Sequence, residues 1–574
     1  MHRRRGAMVP RSLALRGLPA VSAAKKLMAV GAVVALLSTA ACTSGGGSDN
    51  NNDNAGGGGG TKTVHLALGQ DVDSMLPMDA HVGDNIGVLS VVFDALVRYD
   101  AKTGKPYNYV ADKIDTTDNK VWTIKIKPGL KFQNGDPVDA ASFARAWNYA
   151  AYGPHAMYNN YFFDRIAGYD EMQGEYTEDD DGKVTVTKKP KATELSGLKV
   201  VDDTTLQVTL TSPFAGFSTM LGYTGFYPVT QSCIDDIKAC AKKPIGNGPF
   251  KIDSWDQGVQ LTASKWKGYS LKETPNYDKI VWKEYAGSSS WPDFEAGDLD
   301  LGAPPPDQWQ AANNDPDLTS RKVERQTADL TYLGFPLYKK NEPWDNIEFR
   351  KAISMAIDRQ KIIDTVIPGQ SVPATSWVPV GIPGGRDNVC QWCKYDPQAA
   401  KAALAKAGGW PQGKVLNIYL GKDETSEAYF KAIGDQISLN LGIKYKLIPS
   451  TDFFSLRSAR KFDGAYRNNW FPDYPLNENF LGPVYSSDDP KNGNTEFGYY
   501  DAAFEKALKD GDAAPDIDSA VTDYEKAEDI LAKDFPTIPL DFSKSVTFYS
   551  DRVDNIVIDP FSGATRLREL KYVG

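Results

Sequence analysis

"VWTIKIKPGLKFQNGDPVDAASFARAW", residues 121–147, sets two periodicities side by side. Trp122, Ile124 and Ile126 alternate with Thr123, Lys125 and Lys127, the period of two that buries one face of a strand and wets the other. Pro128-Gly129 turns the chain, and Asn134-Gly135-Asp136 turns it again. Asp139 stands where a helix N-cap belongs, and Phe143 and Trp147, four apart, share one buried helical face. A strand, two turns and a capped helix make scaffold, not chemistry.

The same mixture continues in both directions. Upstream, "KTVHLAL" (62–68) reads as a strand and "NIGVLSVVFDALVRYD" (85–100) as a helix running into a strand. Downstream, "LKVVDDTTLQVTLTSP" (198–213) reads as a hairpin, and "IGNGPFKIDSWDQGVQLTAS" (245–264) as a glycine turn followed by two strands. Gly246 and Gly248 are turn residues, since no helix follows for a phosphate loop to feed. The acidic run "EYTEDDDGKVTVTKK" (175–189) fails as a calcium loop. Setting Gly182 at the loop glycine puts Thr177 and Lys188 at the terminal ligand positions, so Asp181-Gly182 reads as a hairpin turn.

From about residue 345 the texture turns helical. "NIEFRKAISMAIDRQKIIDTV" (346–366) and "YDPQAAKAALAKAGG" (395–409) predict helices, the second with Asp396 and Pro397 at its start. "VLNIYLG" (415–421), "AYFKAIGDQISLNLGI" (428–443) and "KYKLIPS" (444–450) alternate strand, helix, strand, and residues 519–550 give a helix and a returning strand. The chain has 574 residues, well past the roughly 250–300 at which one core splits, so two α/β lobes are expected.

The first 41 residues carry Arg3, Arg4, Arg5, Arg11, Arg16, Lys25 and Lys26, no acid, and an apolar run from Leu27 to Ala41. That run is shorter than the ~20 residues of a membrane span and reads as an export signal. Ala40 and Ala41 before Cys42 resemble a lipoprotein cleavage site, with Thr39 departing from its usual leucine. Lipidation of Cys42 and an anchor on the outer face of the cell membrane are therefore expected. Residues 42–61, rich in Gly and Asn, read as a disordered tether with a reach of roughly 20–25 Å. Without residues 1–41 the formal net charge falls from −10 to −17, and no basic patch interleaves with aromatics, so nucleic acid is excluded as a partner.

Cys233 with Cys240, and Cys390 with Cys393 in "CQWC", read as two local disulfides of an exported protein. A four-thiolate zinc site and a redox pair are the rivals, and the redox pair lacks its βαβ setting. Of the four histidines, His2 leaves with the signal, His65 lies in the first strand, and His81 and His155 stand near no nucleophile motif. No hydrolase elbow, zinc-protease helix or phosphate loop occurs. Neither an enzyme, a metal site nor a cofactor is expected.

Taken in order, five blocks resemble the extracytoplasmic peptide-binding proteins of ABC importers, solute-binding family 5. They are residues 121–147, "IGNGPFKIDSW", "FRKAISMAIDRQKII", "YDPQAAKAALAKAG" and "WFPDYPLNENFL" (470–481), and the likeness runs from about residue 62 to 572. The resemblance implies a type II periplasmic-binding-protein-like α/β fold, two lobes joined by a hinge plus an additional small lobe. Lobe I is expected from 62–105, 190–284 and 546–574, the small lobe from 106–189 and lobe II from 285–545.

It further implies a monomeric receptor for oligopeptides that delivers them to permease subunits and their ATPase. The same fold takes oligosaccharides or metal chelates, and a peptide sensor for a membrane signalling partner is a further alternative. The family's acid that pairs with the peptide α-ammonium matches Asp473, flanked by Trp470 and Tyr474, while Pro472 replaces the usual small residue before it. Arg457 and Arg467 match arginines lining the cleft, and Tyr158 and Tyr161 resemble aromatics that close over the ligand.

Overall fold

A computed structural model describes residues 60–69, 72, 74–81, 83–178, 184–285, 288–487 and 497–574. Cys42, the signal and nearly all of the tether lie outside the described residues, as does the Asp181-Gly182 turn. The strands flanking that turn, Glu175–Glu178 and Val184–Lys188, do pair antiparallel. Residues 62–574 form one compact unit built on three larger sheets.

The first sheet has four strands in the order Thr63–Leu68, Lys279–Glu284, Gln260–Lys265, Phe250–Asp256. Only the first pair runs parallel. Its core is separate from the larger one and draws on residues 64–95, 227–282 and 553–570. Gly246 approaches the chain of this core so closely that a Cβ there would stand 1.9 Å from the Val92 carbonyl oxygen, which is the packing reason for a glycine.

The second sheet has the order Ala111–Thr116, Val121–Ile126, Thr205–Thr209, Leu198–Asp202. Trp122, Ile124 and Ile126 are buried as their alternation requires. Asp139 caps the helix Ala140–Ala151 by accepting from the Ser142 N–H at 2.8 Å, and Phe143 and Trp147 of that helix are fully buried. The hairpin 198–209 thus pairs with residues 111–126 and not with the first sheet.

The third sheet has seven strands, in the order Leu301–Gly302, Ile538–Tyr549, Lys322–Gly334, Ala465–Trp470, Leu416–Gly421, Tyr445–Ser450, with Ser371–Pro373 also on Ile538–Tyr549. Two of its strands, Lys322–Gly334 and Ile538–Tyr549, are long, antiparallel and broken in register between Gln326 and Leu330. The helical stretch 346–366 is two helices, Ile347–Met355 and Arg359–Val366, because Asp358 caps the second by accepting from Lys361 N–H at 3.1 Å. Both disulfides are present, Cys233–Cys240 and Cys390–Cys393.

Asp300 ties the ends of these units together. Fully buried, it accepts from His65 N–H at 2.7 Å, Ser550 Oγ at 2.6 Å and Arg552 Nε at 2.8 Å. Three chain segments more than 200 residues apart therefore meet on one carboxylate. Asp300→Ala is expected to cost ~3 kcal/mol, the scale for breaking a buried ion pair and orphaning its donors. Urea unfolding checks this, and an unchanged midpoint would show that the tie contributes nothing.

Candidate functional site

The strand Ala465–Trp470 ends in the loop that carries Asp473. Pro472 is buried, and the Asp473 N–H donates to Asn479 Oδ1 at 2.7 Å, which fixes the turn into the helix Glu478–Tyr485. The Asp473 side chain is half-buried and takes a hydrogen bond from the Tyr161 hydroxyl at 3.0 Å. Tyr161 comes from the region of the second sheet, 312 residues away in sequence. Its ring stacks on Phe162 at 4.4 Å, and Phe162 stacks on Tyr223 at 4.4 Å, so the hydroxyl is presented from a rigid aromatic ladder.

Tyr158 completes the wall. Its ring stacks on His81 at 3.8 Å, and its N–H donates to Asp79 at 3.1 Å. Among the described residues no basic side chain forms an ion pair with Asp473. Burial therefore pushes its carboxyl up to about 7. The Tyr161 and Asn479 hydrogen bonds pull the other way, and the neighbouring Glu478 charge adds to the rise.

Beneath the loop runs a second set of charges, already paired. Tyr474 is buried, and its hydroxyl donates to Glu478. Glu478 also receives Arg165 Nη2 at 3.1 Å, while Asp512 stands 3.7 Å from Arg165 Nη1 and accepts from Tyr524 at 2.8 Å. The Arg165 guanidinium lies 3.9 Å from the centre of the Phe214 ring. Tyr161 and Arg165 thus grip one loop from its two ends.

Trp470 and Arg467 lie on the same strand, and Arg457 on the helix Phe453–Ser458 before it. Trp470 is half-buried, and its indole N–H is buried with no acceptor among the described residues. Arg467 is half-buried on the opposite face. Arg457 is buried, donates to Asn468 and lies 5.2 Å from the centre of the Phe454 ring, so the structure packs it against its own helix and does not bring it to Asp473.

The sequence reading missed His81, Tyr223, Arg165 and Asn479. Only Asn479 had a signal, since it falls within the "WFPDYPLNENFL" block. No group of three or more potential metal ligands occurs among the described residues.

A model of the bacterial extracellular solute-binding proteins, family 5, middle region, matches residues 105–492. The chain belongs to this family. Among family members, the oligopeptide-binding protein OppA of Bacillus subtilis is 25% identical over 526 residues, covering 88% of this chain and 92% of that protein. The dipeptide-binding protein DppE of the same organism is 25% identical over 494 residues, covering 82% and 85%. Among solved structures, the unliganded open form of the periplasmic murein tripeptide binding protein MppA superposes with a TM-score of 0.75 at 22% identity, over 90% of this chain and 98% of that one. The family fold is thus a type II periplasmic-binding-protein fold, and the named relatives are binding proteins. No helix among the described residues is long and apolar enough to cross a membrane.

An ionised, partly buried Asp473 with no cation beside it weakens the ligand-free protein. Its carboxyl is raised above the unfolded value, so the folded state binds more protons, and the penalty is present above pH 7 and relieved as pH falls toward 4. Asp473→Asn is therefore expected to stabilise the ligand-free protein at pH 8 by ~1–2 kcal/mol, discounted for partial exposure. At pH 5 the gain should fall to less than half of that. Thermal melts at both pH values test it, and a loss of stability at pH 8 would contradict it.

Proposed function

We propose that this protein is an extracytoplasmic receptor that captures oligopeptides between its lobes and delivers them to an ABC permease. The observation that carries the reading is Asp473, a carboxylate held among tyrosines with no cation partner among the described residues. A peptide α-ammonium supplies the missing charge, in a charge-assisted bond made stronger by partial exclusion of water. The named peptide-binding relatives support the same class of ligand. Neutral sugars offer this acid hydroxyl donors but no compensating charge.

Three lobes serve this function. Lobe I comprises 62–105, 190–284 and 546–574, the small lobe 106–189, and lobe II 285–545. Strand pairing favours moving the hairpin 198–209 to the small lobe. Lobe I has a core of its own, and the long pair Lys322–Gly334 and Ile538–Tyr549 is the natural hinge, since its register breaks midway. Ligand selects the closed arrangement, which the permease recognises. Lipidation at Cys42 and the Gly-rich tether hold the receptor, as a monomer, at the outer face of the membrane. The permease's ATPase supplies the energy.

Two measurements bear on this. Native mass spectrometry of the purified protein should release peptides, and a sugar or metal complex in their place would overturn the reading. Asp473→Asn should weaken free peptides by about 100-fold, near the 2–3 kcal/mol of a charged hydrogen bond. It should weaken N-acetylated peptides by less than about threefold, within half a kcal/mol or so. Equal losses would remove Asp473 as the ammonium receptor.

A further inference from the structure

Arg467 stands on the strand that leads to Asp473, six residues earlier. A ligand extended along this strand and anchored at Asp473 reaches Arg467 with about its third to sixth residue, at ~3.3 Å per residue. A lone arginine there would read the carboxyl end of a short peptide. Arg467 is not alone.

Register places Arg467 opposite Leu333, and Thr331 opposite Asp541 on the other side. Residues two apart on a strand share a face, so Thr331, Leu333, Arg467 and Asp541 belong to one face of three adjacent strands, and Asp329 sits at the register break close enough to feel the charges of both Arg467 and Asp541. Asp541 is buried and accepts from the Tyr429 hydroxyl at 2.6 Å. Asp329 is half-buried and accepts from Ser543 Oγ at 3.0 Å on one oxygen, while its other oxygen is buried with no donor among the described residues.

Arg467 makes no ion pair or hydrogen bond of its own among the described residues. Burial raises both carboxyls, Asp541 to about 6, and Arg467 lies near enough to draw each of them back down.

We infer that Asp329 and Asp541 already balance the charge of Arg467, so that this part of the site accepts neutral or basic peptide groups and does not read a ligand carboxylate. One arginine faces two carboxyl groups, so the patch is neutral at most, and an arriving carboxylate would add a second uncompensated anion to a half-buried surface. The consequence is a receptor that needs a free amino end but not a free carboxyl end, and is therefore indifferent to peptide length beyond that point. This rests on the peptide-binding reading above.

The test measures binding of tetrapeptides and pentapeptides as free acids and as C-terminal amides, by calorimetry on the whole mature protein. The amide should bind as well as the acid or better. In Asp329→Asn the acid should gain roughly thirtyfold relative to the amide, the change expected when one like charge is removed from about 8 Å at an effective dielectric near 20. Arg467→Ala, which takes one positive charge from the same patch, should shift the acid-to-amide ratio by a similar factor in the opposite direction, toward the amide. A wild-type preference for acids of tenfold or more, abolished in Arg467→Ala, would overturn the inference and leave peptide binding intact. Failure of both acid and amide forms to bind would instead bring down the peptide reading itself, and this inference with it.

Discussion

A carboxylate drawn part-way out of water without a cation beside it is costly, and the site is organised around that cost. Asp473 receives one hydroxyl donor from Tyr161 and help from Asn479, which ease its ionisation without neutralising it. Arg165, which reaches the same loop, is committed to Glu478 and Asp512. Two adjacent acids are thus treated in opposite ways, Glu478 paired and Asp473 left open. In the proposed reading this arrangement trades stability for recognition.

The surroundings explain how the open acid is kept rigid. Its loop is bound on one side by the Asp473 N–H to Asn479 and on the other by the Tyr161 ladder, while Phe214, stacked under Arg165, meets the Tyr474 ring at 6.4 Å. Residues of the second and third sheets share one continuous core here, whereas the first sheet has its own. In the proposed mechanism this continuity makes the ammonium receptor a fixed feature, against which a peptide's remaining length is sampled.

Much of the fold was legible locally. The alternation in 121–126, the Asp139 cap and the hairpin 198–209 are short-range features, and short-range features write themselves into sequence. What was not legible is what pairs with what. The hairpin joins the second sheet by contacts with a strand some 80 residues earlier, and the break at Asp358 hides inside a helical periodicity that runs through it. The site divides in the same way. Asp473, Trp470 and Tyr474 could be proposed together because they are neighbours in one motif. Arg165, His81 and Tyr223 approach it across roughly 250 to 400 residues, and Arg457 looked available because burial against Phe454 and Asn468 leaves no mark in the sequence.

In the proposed mechanism the Asp473 carboxyl, protonated near neutrality when empty, ionises to receive a ligand ammonium. Calorimetry of a free peptide binding at pH 6, repeated in buffers of different ionisation enthalpy, counts the protons exchanged. With the empty carboxyl at about 7 and the bound one held ionised, close to one proton, ~0.9, should leave per peptide. Asp473→Asn should abolish that release. No proton released by the wild type, or the same release from the variant, would contradict the assignment of Asp473 as the ammonium receptor.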